Sequence, residues 1–187
     1  MKGKGIVLAL VTLAVCANGR LWGQGTILWN EAVNGPLSLD SDNPTILPVM
    51  QFGTNSLIGA AAVERAGQVW YGYDDFFQIR IPAGTFVSSA FVTVDRPNAG
   101  IWLGDTGYSN HIAFVANPLT ESLLSQWGLP YIAPGAYGMY VGNNDLQLPS
   151  TVLNYRLDFV VVPEPCTLAL VLAGAVGLHG FRRLRCR

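Results

Sequence analysis

The chain has 187 residues, a formal net charge of −1, half of its residues hydrophobic and only 12% charged. That length fits one domain of about 140 residues between two terminal targeting segments, and a domain of that size buries enough surface to hold itself together. Charge is unevenly spread: residues 24–162 carry eleven acidic side chains against four arginines and no lysine, a balance of −7, which excludes the basic footprint of a nucleic-acid binder.

Cysteine placement excludes more. Cys16, Cys166 and Cys186 lie near the two ends and none lies in the body, so the body is not a disulfide scaffold, a thiolate metal site or a cysteine hydrolase. At the N-terminus, Lys2 and Lys4 precede the apolar run from Ile6 to Ala17, a pattern that predicts a secretory signal peptide over residues 1–23. Cleavage after Ala17 and cleavage after Gly23 both remain open.

From Gly25 onward, short apolar runs alternate with Gly, Pro, Asn and Asp clusters, the texture of an all-β protein. TILWN (Thr26 to Asn30) predicts a first strand. Pro36, Pro44 and Pro48 then argue against regular structure over the following polar stretch. Ser56 to Val63 predicts a second strand. In FFQIRI, Phe77, Ile79 and Ile81 share one face while Gln78 and Arg80 take the other. Pro82-Ala83-Gly84 turns the chain into a longer strand, Phe86 to Val94, followed by runs at Ile101–Leu103, Ile112–Ala116 and Ala136–Val141. The last strand, Leu153 to Val161, places Tyr155, Leu157, Phe159 and Val161 inward and meets Pro163 with no linker. One segment departs from this texture. Asn117-Pro118, then Leu119, Leu123, Leu124 and Trp127 at helical spacing, then Gly128, predict a short amphipathic helix from Pro118 to Trp127. The expected fold is an antiparallel β-sandwich over residues 24–162 with one helix covering an end or edge.

Chemistry is sparse in this body. His111 is its only histidine and no serine stands in a Gly-x-Ser-x-Gly turn, so a nucleophile–base pair is missing and no catalytic residue is assigned. Asp74, Asp75, Asp105 and Asp145 do not pair by spacing as glycosidase carboxylates do. Asp40-Ser41-Asp42-Asn43 and Asn143-Asn144-Asp145 offer oxygen ligands for calcium, but neither completes a ligand loop. Asx-rich turns are the favoured reading of both, with calcium the minor alternative, and no cofactor is assigned. Trp70, Tyr71, Tyr73, Trp102, Tyr108, Trp127, Tyr131, Tyr137 and Tyr140 make an aromatic-rich domain. Flat aromatic faces suit sugar rings, and they also suit a core; a carbohydrate-binding module is the alternative to a structural role, and a hydrolase a remote third. Ice binding lacks the regular threonine array it would need.

The end of the chain, Val162 to Arg187, joins three features in order. Pro163, Glu164 and Pro165 stop the last strand. Cys166 to Phe181, including Leu168, Leu170, Leu172 and Leu178, is an apolar run of 16 residues, about 24 Å as a helix against roughly 30 Å of hydrocarbon. Arg182, Arg183, Arg185 and Arg187 then form a cytoplasmic stop. This arrangement over residues 163–187 resembles the PEP-CTERM sorting signal. The resemblance implies export, transient inner-membrane anchoring through a single transmembrane helix, and release to the cell surface or matrix by an exosortase-type membrane enzyme. Cys166, where the family usually has a small residue, and His179, inside the apolar run, depart from the pattern.

A second resemblance concerns the body. YDDFFQIRIPAG (Tyr73 to Gly84), PGAYGMYVGNND (Pro134 to Asp145) and NYRLDFVV (Asn154 to Val161) are similar to the bacterial pre-peptidase C-terminal domains, which implies a jelly-roll-like sandwich. The expected partners are the secretion machinery and an exosortase-type processing enzyme, with an extracellular polysaccharide as the partner of the sugar-binding alternative, and no nucleic acid.

Overall fold

The computed structural model describes residues 25–66, 69–118, 122–144 and 150–164. The expected signal peptide and the run from Pro165 to Arg187 lie outside them. The order is β1 (Thr26–Asn30), α1 (Glu31–Asn34), β2 (Thr45–Val49), β3 (Gly53–Ala66), β4 (Val69–Tyr73), β5 (Asp75–Ile81), β6 (Thr85–Val94), β7 (Ala99–Gly104), β8 (His111–Ala116), α2 (Leu123–Trp127), β9 (Gly135–Asn143) and β10 (Ser150–Pro163). Among the described residues no helix is long and apolar enough to cross a membrane.

The strands build two sheets. The first runs β1-β3-β10-β6, with β4 also paired to β3; the second runs β2-β5-β9-β7-β8. Period-two patterning decides which side chains face the gap between them. In β10, Leu153, Tyr155, Leu157, Phe159 and Val161 are buried, and in β5 so are Asp75, Phe77, Ile79 and Ile81. These meet Leu57 and Ala61 of β3, Ile101 and Leu103 of β7, and Met139 and Val141 of β9 in one continuous core. Each large side chain buried there contributes about 1.5–3 kcal/mol.

Most pairings are antiparallel, as the alternation implied, but β1–β3 and β2–β5 are parallel. Parallel neighbours need a crossover, and here each crossover runs through the opposite sheet: the chain passes β1, β2, β3 by alternating between sheets. The proline-rich stretch is also more ordered than its composition implied. Asn30 caps α1 by accepting from the Ala32 N–H, Leu37 is buried, and Pro48 is tolerated in β2 because that strand pairs only with β5.

The helix is shorter than expected. It occupies Leu123–Trp127 with Ser122 at its N-cap, and Gly128 ends it in the left-handed region (φ 70°). Asn117 does not cap it, taking φ 55° instead. Leu123 and Leu124 are buried, the Ser122 hydroxyl donates to the Ala90 carbonyl, and Ile132 exchanges backbone hydrogen bonds with Val87. The helix thus packs against both β6 and β8, covering the side where the two sheets would otherwise present open edges.

Candidate functional site

Of the expected sorting residues, the structure reaches two. Pro163 is the last residue of β10 and pairs with Thr85, and the Glu164 N–H donates to the Gly84 carbonyl at 2.9 Å. Pro165, the apolar residues Cys166, Leu168, Leu170, Leu172, Leu178 and Phe181, and the four terminal arginines lie outside the described residues.

Inside the sandwich, Asp75 is 1% exposed, and the Tyr155 hydroxyl donates to its Oδ2 at 2.7 Å. Burial pushes the Asp75 carboxyl up to about 7; the Tyr155 hydrogen bond pulls it down, and the charges of Glu31 and Asp74 push it further up. Tyr155 fits because Gly59 lies opposite: a Cβ there would stand 2.5 Å from the phenol oxygen. Glu31 accepts from the Leu37 N–H with one oxygen and from the Ala60 N–H with the other, both at 2.6 Å. Since Asn30 pairs with Ile58, this carboxylate continues the β1 ladder by one rung along the β3 edge. Both acids serve the fold: one ties the two sheets together, the other satisfies backbone donors.

The chemistry that faces outward lies on the other side of the second sheet. Register places Phe76, Tyr140, Trp102 and Phe114 side by side on β5, β9, β7 and β8. Their neighbours in sequence, Phe77, Met139, Leu103 and Ala113, belong to the core, so this row stands on the outer face. Phe76 and Tyr140 have ring centroids 5.6 Å apart, as do Tyr140 and Trp102, the latter two within 13° of parallel. Trp102 is only 8% exposed yet stands outside the main core. It is covered by Tyr108 from the β7–β8 turn, stacked at 5.3 Å. The Tyr108 hydroxyl reaches the Phe77 carbonyl at 2.8 Å and the Met139 carbonyl at 3.2 Å, pinning the turn onto the sheet. Phe114, at the end of the row, is 42% exposed.

Beside this row runs a strip without side chains of its own, formed by Gly142 and Gly100. Asp74, the residue at which the chain leaves β4 for β5, lies across it, with Oδ1 2.7 Å from where a Gly142 Cβ would stand. The Asn144 amide lies across Gly100, Nδ2 2.7 Å from the corresponding point, with the Phe114 ring edge at 3.4 Å. Burial raises the Asp74 carboxyl above its usual range, and its charge helps raise the Tyr140 phenol. Among the described residues no hydrogen bond or ion pair reaches Asp74. A half-buried carboxylate without a donor, beside a row of rings, is what distinguishes this face.

Of the other candidates, Asp145 lies outside the described residues, and Asp40 and Asp105 are already satisfied. Asp40 accepts from the Asp42 N–H, and Asp105 accepts from the Ser109 N–H and the Asn110 amide; these are Asx turns, and no group of three acidic, histidine or cysteine side chains gathers to hold a metal among the described residues. A shallow groove of about 280 Å³ on the first sheet is lined by Ile58, Thr93, Asp95, Asn154 and Arg156. Its charged and amide groups are already engaged: Arg156 bonds Asp158 and Ser56 beside the groove, and Asn154 bonds Asp95.

Of the aromatic residues singled out from sequence, the fold brings together Trp102, Tyr108 and Tyr140. Tyr131 packs instead on Phe86, Trp127 packs against the core, and the side chains of Trp70 and Tyr71 lie outside the description. Phe76, Phe114 and Asn144 were not expected in a sugar-type site. Comparison with protein-family models, with curated proteins and with solved structures finds no match.

Proposed function

We propose that the chain is an exported cell-envelope or extracellular-matrix protein, delivered by a PEP-CTERM-type tail, whose sandwich has a non-enzymatic structural or binding role. Support for the delivery comes from the junction: β10 leads from the middle of the first sheet straight into Pro163 and Glu164, ahead of an apolar run and four arginines. An exosortase-type enzyme and the secretion machinery are the proposed partners. We read the sandwich as jelly-roll-like. The order β3-β10-β6, extended by the Ile132 bridge, against β5-β9-β7-β8 supports that reading, with β1 and β2 as additions at the edges. The test is fractionation of a host that carries the processing enzyme. Replacement of Pro163, Glu164 and Pro165 by alanine is expected to leave an uncut, membrane-retained form; normal release of that variant overturns the reading.

A second, more specific reading makes the sandwich a carbohydrate-binding module. It is favoured by the Phe76–Tyr140–Trp102–Phe114 row with Asp74 and Asn144 alongside, since rings supply apolar faces and the amide and carboxylate supply directional hydrogen bonds. A glycan array probed with the mature protein tests it. Binding to a glycan class that Phe114→Ala weakens supports it, and an array without signal leaves only the structural role.

A further inference from the structure

We propose that the outer face of the second sheet holds a cationic amino-sugar chain, with Asp74 taking an ammonium group and the aromatic row supporting the sugar rings. This rests on the carbohydrate-binding reading and narrows it to one ligand class. The row crosses four strands, about 14 Å at ordinary strand spacing, a length that accommodates a short oligosaccharide rather than a single sugar. Phe76, Tyr140 and Phe114 keep partly open rings, and Tyr108 presents its own ring where it covers Trp102. Asp74 sits at one end beside Tyr140, and Asn144 and the exposed Phe114 sit at the other.

Charge selects among glycans. A partly desolvated carboxylate that no donor reaches among the described residues is costly to keep, and the cost falls most when a ligand brings both opposite charge and hydrogen-bond donors. An ammonium brings one charge and three donors, and it is further attracted to the faces of neighbouring aromatic rings. A neutral glycan offers hydroxyl or acetamido N–H donors but no charge. A uronate polymer meets Asp74 within a body of net charge −7 and is repelled. Among the described residues, Arg80 is committed to the Leu47 carbonyl, and Arg156 to Asp158 on the other sheet. The strip on which Asp74 lies also depends on glycine, because a Cβ at Gly142 would occupy the place of its carboxylate.

The experiment titrates the mature protein by calorimetry with four hexasaccharides: fully deacetylated chitosan, fully acetylated chitin, cellohexaose and an alginate oligomer, at a pH where the amines are protonated and Asp74 is ionised. The expected result is at least tenfold tighter binding of the deacetylated hexamer than of the acetylated one. Asp74→Asn should abolish that preference, and Phe114→Ala should weaken both ligands by about the same factor. Asp158→Asn, an equal charge change on the opposite sheet, should leave the preference intact. Equal binding of chitosan, chitin and cello-oligomers, or equal loss in Asp74→Asn and Asp158→Asn, overturns this inference while leaving the sugar-binding reading in place. If no hexamer binds, both fail. Thermal melts of each variant separate a lost site from a lost fold.

Discussion

Replacing Asp75 with asparagine should stabilise the protein above neutral pH and remove part of its pH dependence. Asp75 is buried in the sandwich, with its carboxyl shifted from 3.8 to about 7, which corresponds to about 4 kcal/mol between the protonated and ionised folds. The folded state holds this proton more tightly than the unfolded chain does. The stability it contributes is therefore full below about pH 4 and is lost as pH rises through about 7. Entry of water and small backbone shifts return part of that cost, so a loss of roughly 2–3 kcal/mol is expected, or about 6–12 °C in Tm for a domain of this size. Asparagine keeps an acceptor for the Tyr155 hydroxyl and carries no charge. Melting curves from pH 4 to pH 9 should show the two proteins within about 1 kcal/mol at pH 4 and the variant clearly more stable at pH 8. The comparison cancels the general self-repulsion of an acidic body, since the other acids are common to both. Parallel curves at all pH values, or a variant less stable at pH 8, would refute the reasoning.

Three further perturbations have defined outcomes. Tyr108→Phe removes the hydroxyl that holds the β7–β8 turn against the Phe77 and Met139 carbonyls and should cost about 1 kcal/mol in denaturant titrations, whereas no change would make that bond incidental. Glu31→Gln turns one of two acceptors into a donor facing a backbone N–H; a loss of about 1–3 kcal/mol is expected, and an unchanged midpoint would mean the edge of β3 does not need it. Millimolar calcium should barely move the Tm, because Asp40 and Asp105 are already engaged in their own turns; a rise of many degrees that Asp40→Ala with Asp42→Ala abolishes would show a real site there.

Legibility followed patterning. β5 and β10 were readable because both alternate cleanly, and each has one face in the core. β2 and α1 were hidden in a stretch whose prolines argue against structure, since sequence does not show that Pro48 falls on an edge strand. β4, VWYGY, shows no alternation of apolar and polar residues, and the parallel pairings of β1 with β3 and of β2 with β5 depend on crossovers that run through the opposite sheet. The aromatic face was half visible. Trp102, Tyr108 and Tyr140 were countable, and Phe76 lies opposite in parity to Phe77. Which strands stand side by side decides whether those rings meet, however, and strand order in that sheet is set by pairings such as Phe77 with Met139 and Ile101 with Val141 that are far apart in the chain. Asp74 as a carboxylate without a donor could not be inferred, because its surroundings exist only where β4 hands over to β5 and Gly142 comes across from β9.

The central claim is that the tail is a temporary address and the sandwich the part that remains. Peptide mapping of the mature protein's C-terminus, in a host that has the processing enzyme, tests it most directly. The account predicts that the chain ends near Pro163–Pro165, just beyond the last rung of β10, with the arginine-bearing segment absent. A mature protein whose final peptide still ends at Arg187 would contradict it, and the tail would then be a plain membrane anchor.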